Sequence, residues 1–150
     1  MPIENCKIHP SVKIWHPELV NLYGCEIGEG TKIGTFVEIG NGVSVGKNCK
    51  IQSNVFIPEG VTISDNVFIG PGVVFCNVKN PMDGESYQET LVCERVRIGA
   101  GVIILPGIIL YAAAFIGAGA VVTRPVESFV TVVGNPARPI RYNHGEYEVW

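Results

Sequence analysis

A period of six residues governs most of this chain. From Ile27 onward every sixth residue is large and apolar: Ile27, Ile33, Ile39, Val45, Ile51, Ile57, Ile63, Ile69 and Phe75. Four residues after the first eight of these stand Thr31, Val37, Val43, Cys49, Val55, Val61, Val67 and Val73, all of them small. Glycine follows the anchor at Gly28, Gly34, Gly40, Gly46 and Gly70. An amphipathic helix repeats its apolar stripe at about 3.6 residues and cannot produce this pattern. A hexad instead describes a short strand and a corner, with two side chains inward and glycine tolerating the corner dihedrals. Three hexads close a triangular coil, so residues roughly 18 apart become vertical neighbours at a strand spacing of about 4.8 Å.

The period breaks once. From Phe75 to Val92 the step is 17 residues, not a multiple of six, and segment 76–91 is polar and turn-rich. It is expected to loop out. The repeat resumes at Val92, Ile98, Ile104, Leu110, Ile116 and Val122, with Val96, Val102, Ile108, Ala114 and Ala120 four residues on. A weaker version runs through Ile8, Ile14 and Val20, with a slip after it. The expectation is an all-β chain forming a parallel β-helix of about six coils. It is a single domain over 1–150, with a loop excursion at 76–91. After Val122 the chain is expected to leave the prism as a C-terminal extension, 123–150, stiffened by Asn135-Pro136-Ala137-Arg138-Pro139.

Composition narrows the function. Residues are 47 % hydrophobic and 17 % charged, with net charge −3, so the chain is not a disordered one. No basic stripe suited to nucleic acid is visible, and no apolar run is long enough for a membrane span. The first residues lack the basic and apolar parts of a signal peptide, which reads as cytoplasmic. The five cysteines form no CxxC pair and read as small core or surface side chains rather than a metal or disulfide set. Outward positions are often apolar, at Phe56, Phe68, Val74, Ile103, Ile109, Phe115 and Val121. That many on a narrow prism suggests a face covered by other copies.

Candidate chemistry follows from the stacking. Asn41, Glu59 and Asn77 are 18 apart and should form a column along one corner, with Asn77 where the loop departs. A carboxylate beside a carboxamide can hold an amine. Two ordinary polar turn residues are the alternative. Glu38, Phe56 and Val74 form a second column, in which Glu38 is either a base among apolar neighbours or a solvated carboxylate. His9, His16 and His144 fall outside the repeats around the loop. His16 is expected roughly 12 Å from Glu59 at strand spacing, too far for direct proton transfer. With so few histidines, a metal site is not expected.

The hexads, the interruption and Gly134-Asn135-Pro136-Ala137-Arg138-Pro139-Ile140 together resemble the hexapeptide-repeat acyltransferases, from about His9 to Ile140. Val74-Phe75-Cys76-Asn77-Val78-Lys79-Asn80-Pro81 followed by Thr90-Leu91-Val92 is similar to the N-acetyltransferases of nucleotide-linked amino sugars. The resemblance implies a left-handed helix sense, a homotrimer with sites in the grooves between prisms, and acetyl-CoA as co-substrate. It implies that Asn77 lies beside the reacting amine and that Pro58-Glu59-Gly60-Val61 carries the family's glutamate. It also implies that CoA lies against Gly99, Ala100, Gly117 and Ala118. Arg124 after the last coil and Arg138 in the proline segment are either contacts for its phosphates or solvated arginines near the chain end. Glu38, Asn54 and Asn80 are the expected contacts for an amino sugar or sugar nucleotide. Three other readings stay open: O-acetylation of a sugar or serine hydroxyl, a non-catalytic scaffold trimer, and a carbonic-anhydrase-like enzyme that the missing histidine cluster disfavours.

Overall fold

A computed structural model of the chain describes residues 2–84 and 86–143. The chain winds as a left-handed parallel β-helix of triangular section. Most strands are two residues long, as at Glu38–Ile39, Ser44–Val45 and Lys50–Ile51, and each turn of the helix visits three faces in order. The first face stacks seven strands from Ile3–Glu4 to Val121–Val122, the second six, and the third eight. The stack is thus a coil longer than the six read from the period. We call the corner between faces one and two the first edge, between two and three the second, and between three and one the third.

Inward residues make one continuous core. Ile33, Ile39, Ile57, Ile69, Phe75, Ile98, Ile104, Leu110 and Ile116 are all fully buried. Vertical register holds them rung on rung, as in Ile39 beside Ile57 and Phe75 beside Ile104. Corners turn through left-handed residues, among them Asn48, Asn54, Asn66 and Arg95. Asparagine tolerates that region because its short polar side chain bonds locally.

Two expectations are corrected. Leu22, not Val20, takes the inward strand position, in register with Ile39 and fully buried. The 3₁₀ turn Pro17–Leu19 lengthens that corner and absorbs the slip, and Val20 fills the secondary inward place. The chain also does not leave the prism after Val122. Val126 bridges Leu110, and Val130–Val133 adds a parallel strand to the third face. Arg138–Tyr142 then folds back antiparallel on that strand. Val126, Val132 and Ala137 are buried. Apolar spacing persisted through this stretch, but the prolines hid it.

Two buried threonines make opposite contributions. Thr31 Oγ1 donates to the Gly46 carbonyl at 2.8 Å and accepts the Cys49 N–H at 3.0 Å. Thr90 Oγ1 is buried without a partner among the described residues. Thr31→Val is therefore expected to destabilise the fold by about 1–3 kcal/mol, since it orphans a buried N–H and removes the donor to a part-buried carbonyl. Thr90→Val should stabilise it by about 1 kcal/mol. Urea unfolding midpoints of the two variants, shifting in opposite directions, check both.

Candidate active site

The first edge brings a carboxamide, two carboxylates and two phenols to the place where the coil opens. Asn77 follows the strand Val74–Phe75 of the first face, and Glu59 follows Phe56–Ile57 one rung below. The Asn77 carboxamide N–H donates to the Glu59 backbone carbonyl at 2.9 Å. That bond fixes the amide orientation and leaves Oδ1 as the acceptor. The Asn77 carbonyl accepts the Gln88 N–H at 2.7 Å, so the excursion leaves and returns at one point. Tyr87 closes against Gly60, whose left-handed backbone and missing Cβ leave room for the ring; a Cβ there would lie 2.6 Å from Tyr87. Gln88 packs on Gly107 of the next corner in the same way.

Below this pair the Tyr23 hydroxyl donates to Glu38 Oε2 at 3.1 Å. Burial raises the Tyr23 pKa above its ordinary value, helped by the bond to Glu38 and by the charges of Glu38 and Glu59. The phenol therefore stays protonated through the physiological range and serves as a donor that holds Glu38. Neither Tyr23, Tyr87 nor Gln88 was singled out from the sequence. Tyr23 sits in the irregular coil, and the loop pair acquires its place only when the excursion closes.

The other expected residues divide between edges. Glu38 lies on the outer side of the first face, in register with Phe56 and then Val74, as the column predicts. Asn54 lies on the third edge, away from Asn77. Asn80 heads the 3₁₀ turn Pro81–Asp83 within the excursion. Gly99, Ala100, Gly117 and Ala118 lie on the third edge near the C-terminal end. A Cβ on Gly99 would come 2.6 Å from the Ala118 nitrogen, so glycine is required for two rungs to stack. Beside them Phe68, Phe115, Ala118 and Arg97 line an apolar cavity of about 490 Å³. The Arg97 guanidinium lies 4.5 Å from the Phe115 ring centroid. Arg138 is in register with Val133, whose side chain packs against the Gly117 position, so it reaches this edge. Its Nη1 donates to the Ala137 carbonyl at 2.9 Å. Arg124 follows Val121–Val122 and stands on the first edge, not with Gly117 and Ala118. Within one chain the two arginines therefore stand on different edges.

The outward apolar residues do not form one face. Phe56, Val74, Ile103 and Val121 make a ladder on the first face, Phe68 and Phe115 lie on the third, and Ile109 on the second. Phe115 is already buried within the chain. His9 bonds Ser11 at the second edge, and His16 lies on the third edge with Nδ1 3.4 Å from Glu18. His144 falls outside the described residues.

Burial holds the cysteine beside Asn77, Cys76, toward its neutral thiol. Burial pushes Cys25 up to about 12, with contributions from the Cys6 thiol, and burial also raises Cys49, Cys76 and Cys93. A raised thiol pKa keeps the neutral, unreactive form. Cys25 is accordingly expected to resist iodoacetamide at pH 8 in the folded protein and to react on unfolding. Site-resolved mass spectrometry of the alkylated protein reads this directly.

Comparison with known proteins places this architecture. The model described as bacterial transferase hexapeptide (six repeats) matches residues 24–59 and 42–77, and that described as hexapeptide repeat of succinyl-transferase matches 92–124. Together they span more than half of the chain. A putative acetyltransferase of Schizosaccharomyces pombe is 39 % identical over 46 % of this chain and 37 % of its own length. A dTDP-3-amino-3,6-dideoxy-alpha-D-galactopyranose 3-N-acetyltransferase of Aneurinibacillus thermoaerophilus is 43 % identical over 36 % of this chain and 28 % of its own. The chain thus spans roughly a third of the length of these curated relatives. A hexapeptide-repeat acetyltransferase of Vibrio cholerae, solved with acetyl coenzyme A, superposes with a TM-score of 0.70 at 25 % identity, covering 84 % of this chain and 73 % of that one.

Proposed function

Because the chain belongs to the hexapeptide-repeat transferases, we propose that it is an acetyl-CoA-dependent N-acetyltransferase acting on a nucleotide-linked amino sugar. The observation that carries the reading is the Asn77–Glu59 corner at the base of the excursion. Asn77 Oδ1 accepts an N–H of the neutral acceptor amine, and the Glu59 carboxylate lies one corner below to take a second hydrogen bond. A neutral amine is a sufficient nucleophile once aligned, so position matters more than a strong base. Acetyl-CoA supplies an activated thioester carbonyl when bound. Backbone N–H groups of a coil stabilise the developing oxyanion. The departing thiolate, whose thiol pKa is about 8.5, takes the proton.

The third edge fits the co-substrate. Its glycines and alanines let a slender chain approach the backbone, and the Phe68–Phe115 cavity accepts apolar methylenes. Within one chain that edge and Asn77 are separated by the whole first face. A homotrimer that apposes the third edge of one copy to the first edge of the next would join them, and the exposed ladder of Phe56 and Ile103 is the surface to be covered. Light scattering is expected to give the mass of three chains. Ile103→Lys should reduce it to one, because a charge buried in an apolar contact stays unpaired.

An amine acceptor is favoured over a hydroxyl because a hydroxyl needs a base, and within one chain neither described histidine stands on the Asn77 edge. The deciding experiment follows CoA thiol release with a panel of amino sugar nucleotides and their hydroxyl counterparts. Turnover of amines alone supports the reading. Turnover of hydroxyls alone replaces it with O-acetylation.

A further inference from the structure

On the third face three lysines stack at successive rungs, Lys13 beside Lys32 and Lys32 beside Lys50. Rungs are about 4.8 Å apart, and like charges directly opposite on neighbouring strands repel. The second face handles the same geometry differently: Lys7 stands beside Glu26, with Nζ 3.7 Å from Oε1. Among the described residues no carboxylate lies within ion-pair distance of Lys32 or Lys50. Glu18, in the 3₁₀ turn that follows this end of the face, lies 3.4 Å from His16 Nδ1.

The lysines also line a concavity. Lys32, Lys50, Trp15, Thr35, Gln52 and Ser53 enclose about 300 Å³ at the third edge. Trp15 is 50 % exposed there, and Lys13 Nζ lies 4.6 Å from its ring centroid. Two lysines on adjacent rungs, an accessible indole and several neutral donors select an anion that carries an aromatic ring.

We propose that this cavity binds a nucleoside diphosphate moiety, its base on Trp15 and its two phosphates on Lys32 and Lys50. Lys32 and Lys50 start from adjacent rungs, so their ammonium groups can reach successive phosphates. Gln52 and Ser53 donate to the remaining oxygens. Bound phosphate also relieves the repulsion within the lysine column. Coenzyme A and a sugar nucleotide both carry such a moiety; the site rests on the proposed function only for the choice between these carriers.

The test is calorimetry on the full chain with UDP, dTDP, ADP and CoA, with pyrophosphate as the probe lacking a base. Nucleoside diphosphates should bind about 10-fold more tightly than pyrophosphate. Lys32→Ala and Lys50→Ala should each weaken them about 10-fold, more at low salt, while Lys7→Ala on the second face should not. Trp15→Leu should remove the advantage over pyrophosphate. All four side chains are outside the core, and circular dichroism verifies the fold of each variant. Loss of UDP or dTDP binding in Lys32→Ala with CoA binding intact assigns the site to a sugar nucleotide; the converse assigns it to CoA. Absence of nucleoside diphosphate binding, or binding unchanged in both lysine variants, overturns the site. Binding without acetyl transfer to any amine leaves the site standing and overturns the reaction.

Discussion

Asn77→Ala is expected to lower kcat/KM for an accepted amine by about 10²- to 10³-fold, with the fold and the trimer intact. The carboxamide does two things at once. Its N–H ties the first edge to the Glu59 carbonyl, and in the proposed reaction its Oδ1 accepts from the amine. Alanine removes both, yet the lost hydrogen bond is at the surface and costs only about 1 kcal/mol of stability. Activity should therefore fall far more than the unfolding midpoint. Asn77→Asp keeps an acceptor but loses the donor that orients it, and should retain part of the rate. Steady-state assays beside urea unfolding separate the two effects. An Asn77→Ala enzyme with unaltered kcat/KM would remove the catalytic corner from the first edge.

Phe75→Ala should destabilise the chain by about 3–5 kcal/mol, the cost of a large cavity in a packed core. Phe75 is among the largest fully buried side chains and stacks in register with Ile104. It is also the last anchor before the excursion, two residues from Asn77, so no regular coil follows it immediately to take up the slack. Collapse of the prism around the missing ring would shift the base of the loop. Activity is thus expected to fall together with stability, which distinguishes this variant from Asn77→Ala. Phe75→Leu should lose far less on both measures. Urea denaturation that shows less than about 1 kcal/mol lost in Phe75→Ala would mean the core is not packed there as described.

Much of this site was legible before any coordinates. The hexad period makes Glu59 and Asn77 vertical neighbours, and the carboxamide does rest on the Glu59 carbonyl. The column of Glu38, Phe56 and Val74 also follows from counting. Tyr23 was missed because it lies in the coil whose corner the 3₁₀ turn lengthens, where the count fails by residues rather than by rungs. The resemblance groups Arg124 with Gly117 and Ala118, yet each corner turns the chain to another edge, and Arg124 follows a strand of the first face. The strand Val130–Val133 is hidden in the sequence because the step from Val122 to Val126 is four residues and contains Pro125, although Val126 and Val132 are again six apart.

The sequence by itself determined the wall of the prism. A six-residue period is a local, repeated statement, and each hexad says which two side chains point inward without reference to the rest of the chain. Stacking order, the core and the vertical columns follow from it. Only the tertiary structure decided what meets sideways: which edge carries Asn77 and which carries Gly99, how Tyr87 and Gln88 close the loop, and that Lys32, Lys50 and Trp15 share one cavity. Those relations depend on the accumulated phase of every corner. One inserted residue or one long excursion changes that phase, and no local pattern records it.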